Sequence, residues 1–243
     1  MVIRKRVVSK AVAATALCTV GSFCNGPAAQ AHRRDFPFTY DWYQPSQGEK
    51  EIEPQTLYRR GEHTLQQQVE FEYGISKRFM IAPYVVFDKE PGDHLRYSAW
   101  KVESRYQLGK FQTGKILPGL YLEYEKPKGA SGEIETKLIL SRYDKRGGDW
   151  SLNLIAERPL ESGAKFAKTF SFGYARPLGK SKYDVRGGFE VIRDKDDGRI
   201  NAGPVLGLAL TDNINLVGSY GFPITHRPTN QGEFRLLAEY EWF

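Results

Sequence analysis

The segment from Glu133 to Tyr143 reads EIETKLILSRY, and the segment from Trp150 to Glu157 reads WSLNLIAE. In both, apolar and polar residues alternate, so one face of an extended strand is apolar and the other carries charges, hydroxyls or amides. A helix would instead repeat its apolar residues every three to four positions, and no such repeat is sustained after residue 48. Both segments therefore predict β-strands with one apolar and one polar face.

The same alternation recurs along the chain, separated by clusters of Gly, Pro, Asp, Asn and Lys. It predicts an all-β fold of about twelve strands of roughly ten residues, an even strand number and a length typical of bacterial outer-membrane barrels. Three prolines, Pro54, Pro83 and Pro204, fall inside predicted strands, where the missing N–H predicts a bulge or a misplaced boundary. The predicted strands are Glu49–Arg59, Thr64–Tyr73, Phe79–Phe87, Leu95–Leu108, Leu117–Glu125, Glu133–Tyr143, Trp150–Glu157, Phe166–Ala175, Tyr183–Ile192, Ile200–Leu210, Ile214–Tyr220 and Glu233–Phe243.

The first 31 residues have the three-part plan of a secretory signal peptide. A basic stretch is followed by a short apolar stretch and by Ala29-Gln30-Ala31, which predicts cleavage between Ala31 and His32. The predicted organisation is therefore a signal peptide (1–31), an N-terminal extension (32–48) and an outer-membrane barrel (49–243). The aromatic-rich residues 33–47 are expected either to fold into the lumen as a plug or to extend as a periplasmic tail.

Composition excludes several classes of protein. The 243 residues have a mean hydropathy of -0.51, and no apolar run of about 18 residues follows the N-terminal segment, which excludes a bundle of membrane helices. The formal charge of +6 falls to +2 without the signal peptide, so no nucleic-acid partner is expected. Both cysteines, Cys18 and Cys24, lie in the signal peptide, which leaves the mature chain without thiols, disulfides or Cys-based zinc sites.

Charges of both signs in the middle of strands favour a membrane barrel, while a soluble periplasmic β-sandwich remains the structural alternative. In a barrel the apolar face meets lipid and the polar face lines the lumen, and aromatic residues near strand ends form interfacial girdles. Carboxylates outnumber basic groups on the inward face, which predicts a preference for cations or neutral molecules. The residues expected to line the lumen are Glu70, Glu72, Lys101, Glu103, Arg105, Glu123, Glu125, Lys137, Asp184, Arg186 and Glu190.

The segments EFEYGISKRF (Glu70–Phe79) and LGLALTDNINL (Leu206–Leu216) resemble strand–turn–strand units of Gram-negative outer-membrane barrels. In particular they resemble the family named after meta-pathway phenol degradation, and this resemblance implies a transport-related outer-membrane barrel. Such barrels commonly end in an aromatic residue read by the barrel-assembly machinery, and this chain ends in Phe243. Glu239 and Glu241 share the phase of Phe243, which departs from the family's pattern.

The predicted function is passive passage or uptake of small solutes through a charge-lined lumen, with outer-membrane lipid and the barrel-assembly machinery as the other partners. One alternative is a closed barrel with a salt-bridged lumen, which acts structurally or presents its outer loops to a partner. A second alternative, a loop-sited outer-membrane hydrolase, would use histidines predicted to lie in loops (His63, His94 and His226). Because no nucleophile–base–acid set is apparent, no enzyme activity, catalytic residue, cofactor or metal is expected.

Overall fold

A computed structural model describes residues 33–179, 184–195, 198–225 and 231–243. The predicted signal peptide and its cleavage site at Ala31 and His32 lie outside these residues. Among the described residues, no helix has the length and apolar character needed to cross a membrane. The strands are β1 (Lys50–Arg59), β2 (Thr64–Ser76), β3 (Phe79–Lys89), β4 (Arg96–Gln107), β5 (Leu117–Pro127), β6 (Glu133–Tyr143), β7 (Asp149–Pro159), β8 (Ala167–Pro177), β9 (Asp184–Arg193), β10 (Ile200–Ala209), β11 (Ile214–Pro223) and β12 (Glu233–Trp242).

These strands form a closed antiparallel barrel in which each strand pairs with its neighbours in sequence. The seam that closes the barrel joins β1 to β12, with Lys50 opposite Trp242 and Arg59 opposite Glu233. Closure leaves no strand edge with unpaired N–H and C=O groups, as membrane-spanning strands require. The predicted twelve-stranded barrel is confirmed, and the two open sheets of a sandwich are not formed.

The two faces of the wall differ in the way that the alternation predicts. On the outward face, Leu122, Leu154 and Leu206 are 46–56% exposed, whereas on the inward face Glu70 and Glu103 are at most 1% exposed. The apolar side chains therefore point away from the barrel and the carboxylates point into it. This is the reverse of a soluble protein and matches a wall surrounded by lipid.

Outward-facing aromatic residues form two belts at opposite ends of the barrel. We call the end where β1 begins and β12 finishes the terminal end, and the opposite end the loop end. At the loop end, for example, the ring centres of Trp100 and Tyr124 lie 5.4 Å apart, and at the terminal end those of Tyr240 and Trp242 also lie 5.4 Å apart. The predicted girdle residues are Tyr58, Trp100, Tyr124 and Tyr220 at the loop end and Tyr73, Tyr106, Trp150, Tyr174 and Trp242 at the terminal end, while Tyr183 lies outside the described residues.

The three strand prolines mark neither a bulge nor a strand boundary, so the prediction from the sequence is wrong. Pro54, Pro83 and Pro204 lie within strands, are exposed on the outward face and keep their partner on one neighbouring strand. On the other neighbour each proline falls in a two-residue gap of the ladder, which is where its missing N–H is directed. The register shifts recorded among the described pairs lie elsewhere, at Gly74/Ser76 and at Val86/Phe87.

The last strand keeps its alternation up to Trp242. Glu239 and Glu241 point inward and are 2–3% exposed, while Phe243 follows the strand and is 53% exposed. Phe243 therefore does not continue the inward alternation of Glu239 and Glu241, because the strand ends one residue before it.

Candidate functional site: the occupied lumen

Residues 33–47, hereafter the plug, lie inside the barrel. The plug enters at the terminal end, where Arg33 pairs with Asp184 at 2.6 Å. It reaches deepest near Phe38, whose ring lies 4.6 Å from the guanidinium of Arg235 in the loop-end half of β12. It then returns to the terminal end, where Gly48 donates a hydrogen bond to the carbonyl of Gly74 at 2.8 Å. Of the two placements expected from the sequence, the structure has the lumenal one.

An apolar anchor holds the first half of the plug. Phe36 is 1% exposed and packs in a cluster with Ala175, Val205, Val217 and Leu237, which are inward residues of four different strands. The space for its ring is provided by Gly173, where an added Cβ would lie 2.6 Å from the ring. An inward glycine therefore provides the space that a buried Phe needs.

Barrel side chains satisfy the backbone of the plug, which has no strand partner of its own. Glu190 accepts hydrogen bonds from the backbone N–H groups of Phe38 and Thr39, at 3.2 and 2.6 Å. Asn153 and the backbone of Tyr40 exchange two hydrogen bonds, both of 2.8 Å. Because buried backbone groups are costly when they lack partners, these contacts stabilise one defined plug conformation.

The middle of the lumen is closed by an aromatic and cationic stack. The Nζ atom of Lys137 lies 4.2 Å from the ring centre of Tyr40 on the plug and 3.9 Å from that of Tyr121 on the wall. The two rings are 5.1 Å apart, and the Tyr40 hydroxyl donates a hydrogen bond to Glu103 at 3.1 Å. Lys137, predicted to line a water path, is thus covered by the plug.

At the terminal end the plug is held by ion pairs. Arg186 contacts Asp35 of the plug and Asp149 of β7, each at 2.5 Å. Asp35 is 7% exposed, and burial raises its pKa to about 6, an effect that the Arg186 guanidinium only partly offsets. Since Arg186 is shared between two carboxylates, it ties the plug to the wall.

The long connection between β4 and β5 covers this end. In that connection (108–116), the ring centre of Phe111 lies 5.6 Å from that of Tyr43 and 6.1 Å from that of Trp42, both in the plug. It also lies 5.7 Å from the ring of Tyr143 on β6. This packing against the plug accounts for the length of the connection.

The predicted lumen charges all lie on the inward face, and most are paired with one another. Lys101 contacts Glu123 at 3.1 Å and Glu125 at 2.9 Å. Arg105 pairs with Glu72 and lies 2.9 Å from Glu103. Near them Glu70 is 1% exposed. The remaining predicted residues, Lys137, Asp184, Arg186 and Glu190, contact the plug as described above.

The plug separates two cavities of opposite charge. The terminal-end cavity, of about 430 Å³, has Asp35, Asp41, Glu49, Asp149 and Asp184 in its wall, against Arg33 and Arg186. The loop-end cavity, of about 140 Å³, is lined by the basic residues Arg34, Arg59, Lys101, Lys137 and Arg235, and its acidic lining residue is Glu123. The loop-end cavity is therefore basic, while other inward carboxylates at that end, Glu133, Glu157 and Glu233, are paired with Lys195 or Arg235.

The sequence prediction missed several lumenal residues. Asn153 and Asn215 hold plug backbone groups, and Glu51 and Glu53 of β1 are fully buried. The two glutamates could have been found, because Glu49, Glu51 and Glu53 alternate as Glu70 and Glu72 do. The asparagines carry no such signal, since their contacts with the plug backbone join residues far apart in sequence.

The residues considered for a hydrolase do not form a catalytic set. Asp93 accepts hydrogen bonds from the backbone of His94 at 2.8 Å and from Arg96 at 2.7 Å. Within the part of the chain that the structure describes, no hydrogen bond joins the His94 ring to Ser98, and His226 lies outside that part. His63 lies 3.4 Å from the Tyr58 hydroxyl at the exposed loop end.

Solved structures with a similar fold include two of KdgM porins. A KdgM porin in complex with disordered oligogalacturonate superposes with a TM-score of 0.55 at 12% identity, covering 79% of this chain and 99% of the porin. The fold is that of a porin-like barrel. A second KdgM porin structure gives 0.52 at 13% identity, with the same coverage. No family model matches the chain, and no curated protein matches it in sequence.

Proposed function

We propose that this chain is an outer-membrane barrel that passes small solutes, and that the plug closes its lumen. The observation that carries the proposal is the separate N-terminal segment that fills a closed porin-like wall and divides its lumen into two cavities. The wall itself is complete without the plug, because every strand has both of its neighbours.

The terminal end is assigned to the periplasm. The shortest connection between strands, residues 77–78 between β2 and β3, lies at this end, and periplasmic turns are the short ones in such barrels. We further propose that the signal peptide directs export, that the assembly machinery reads Phe243, and that the outward face contacts lipid. In this orientation the plug enters the barrel from the periplasm, and the basic loop-end cavity opens to the outside of the cell.

Movement of the plug, rather than of the wall, would open the path. The plug is joined to β1 through Gly48, whose φ of 86° lies in the left-handed region that glycine adopts without strain. The contacts that hold the plug are noncovalent, so a change at this junction would release the segment without breaking a strand pair. Gly48 is therefore the proposed hinge.

The proposed solutes are small anions at the outer entrance. The sequence count of inward charges favours cations, but basic side chains predominate around the loop-end cavity. Inward glutamates at that end, such as Glu133, Glu157 and Glu233, are paired with Lys195 or Arg235. A charged entrance raises the local concentration of ions of opposite sign. Galacturonate is a suitable probe because oligogalacturonate is bound in the KdgM porin, and benzoate is suitable because the sequence resembles the phenol-degradation family.

The salt-bridged lumen also supports the second candidate, a permanently closed structural barrel. The two are separated by planar-bilayer conductance of the mature chain (32–243) and of a variant in which residues 33–46 are replaced by a Gly/Ser segment of equal length. We expect rare openings for the mature chain and steady conductance for the variant, with liposomes swelling in galacturonate or benzoate. If both proteins are folded, as judged by heat-dependent migration in detergent gels, and neither conducts, solute passage is refuted.

A further inference from the structure

Six glutamates form an inward-facing array on three adjacent strands at the seam of the barrel. Strand pairing places Glu51 of β1 between Glu72 of β2 and Glu241 of β12, and Glu53 opposite Glu70. Like charges directly opposite one another destabilise a sheet, so this arrangement needs a compensating interaction. The glutamate array consists of Glu51, Glu53, Glu70, Glu72, Glu239 and Glu241.

The array is buried, and two arginines pair with it among the described residues. Its six side chains are at most 3% exposed. Within the described residues, its ion pairs come from Arg34, which contacts Glu53 at 2.7 Å, and from Arg105, which contacts Glu72. Arg105 is also shared with a seventh buried carboxylate, Glu103. Carboxylates withdrawn from water are costly unless they are paired, protonated or bound to a metal ion.

Oxygen atoms of the array converge as ligands of a metal ion would. One carboxylate oxygen each from Glu51, Glu53 and Glu239 lie within 4.8 Å of one another. A second set, overlapping at Glu53, consists of Glu53, Glu70 and Glu72. Two oxygens bound to one Ca²⁺ at about 2.3–2.6 Å lie at most about 5 Å apart, so both sets have a suitable spacing.

Glu51 provides independent evidence that this cluster holds a ligand. It is 0% exposed, and neither of its carboxylate oxygens accepts a hydrogen bond from any residue that the structure describes. Its neighbour Glu53 differs, because one of its oxygens is bound by Arg34. A buried carboxylate with both oxygens unpartnered among converging carboxylates is expected to bind a cation or a proton.

We propose that Glu51, Glu53 and Glu239 bind a Ca²⁺ ion that bridges β1 and β12. Oxygen ligands from carboxylates select hard cations, and Ca²⁺ accepts irregular and bidentate carboxylate geometry. Mg²⁺ demands a nearly ideal octahedron and usually keeps several waters, which suits this closely packed site less well. The ion would reinforce the seam between the first and last strands, and the site does not depend on whether the barrel conducts.

Calorimetric titration of the EDTA-treated mature protein in detergent with CaCl₂ tests the site directly. We expect one Ca²⁺ per chain, a loss of affinity of at least tenfold in Glu51→Gln, and a similar loss in Glu239→Gln. The matched control is Glu157→Gln, which changes an inward, 5% exposed glutamate paired with Lys195 outside the array and should leave Ca²⁺ binding unchanged.

Thermal unfolding, followed by the heat-dependent shift in detergent gels, gives the second readout. CaCl₂ should raise the unfolding temperature of the mature protein and of Glu157→Gln but not that of Glu51→Gln, and MgCl₂ should do so less. The proposal is overturned if the mature protein binds no Ca²⁺, or if folded Glu51→Gln binds it as the mature protein does. If the mature protein does not respond to Ca²⁺ and Glu51→Gln unfolds at a higher temperature than the mature protein, the proposal is also overturned. Protonation, rather than a metal ion, would then neutralise the buried glutamates.

Discussion

Replacing Phe36 by Ala should release the plug without weakening the wall. The Phe36 ring is 1% exposed and is surrounded by inward residues of β8, β10, β11 and β12, so seating the plug removes essentially the whole ring from water. Burial of a Phe side chain contributes about 2–3 kcal/mol, here to the free energy of seating the plug in the lumen. Because 1.4 kcal/mol is a tenfold change in an equilibrium constant, the released fraction should rise about 30- to 150-fold.

Single-channel recording in planar bilayers measures this change as open probability, and limited proteolysis from the periplasmic side measures exposure of the plug. The matched control is Phe172→Ala, which removes the same side chain from the outward face of β8, next to Gly173. Folding is checked by heat-dependent migration. If Phe36→Ala is folded and both its open probability and its proteolysis equal those of the unmodified protein, the apolar anchor does not hold the lumen closed.

Three further changes test the charges of the lumen. Burial raises the pKa of Asp35 to about 6 because the Arg186 contact offsets only part of the cost of burying its charge, so the seated plug favours the neutral acid. This stabilisation of the seated plug is complete below about pH 4 and is lost as pH rises through 6, so open probability should increase from pH 4.5 to 7 and should increase less in Asp35→Asn. Arg105→Leu leaves the buried carboxylates of Glu72 and Glu103 without their shared cation, and the free energy of unfolding in urea should fall by about 3–5 kcal/mol. The control Arg142→Leu, on the outward face, should change it little. Lys101→Gln in the plug-released variant should shift the reversal potential in a KCl gradient towards cations, and an unchanged potential would exclude this cavity from selectivity.

The strand pattern was predictable because it depends on local alternation. Segments such as Glu133–Tyr143 alternate without interruption, and the structure has a strand with the same bounds. Closure also followed from this pattern, since outward apolar residues and inward charges require lipid outside and a polar interior. The prolines were misinterpreted, because the sequence does not tell on which neighbour a missing N–H falls.

The lumenal site was only partly predictable. That Glu70, Glu72 and Arg105 face inward follows from strand phase, but their partners do not, since Arg105 meets Glu72 across the intervening β3. The segment Phe79–Phe87 is apolar on both faces, and on its inward face Tyr84 and Val86 pack with Ala99 of the neighbouring strand. Glu51 and Glu53 of β1 meet Glu239 only because the barrel closes β1 against β12.

By itself, the sequence determined that this chain forms a barrel wall, because a two-residue period assigns each side chain to lipid or to lumen independently of distant residues. It left two placements for residues 33–47, since an aromatic-rich segment with charges has no period that specifies its partners. The tertiary structure decided between them through contacts distant in sequence, from Phe36 beside Gly173 to Thr39 on Glu190. Such contacts depend on which inward residues meet across the lumen, and only closure of the barrel determines that.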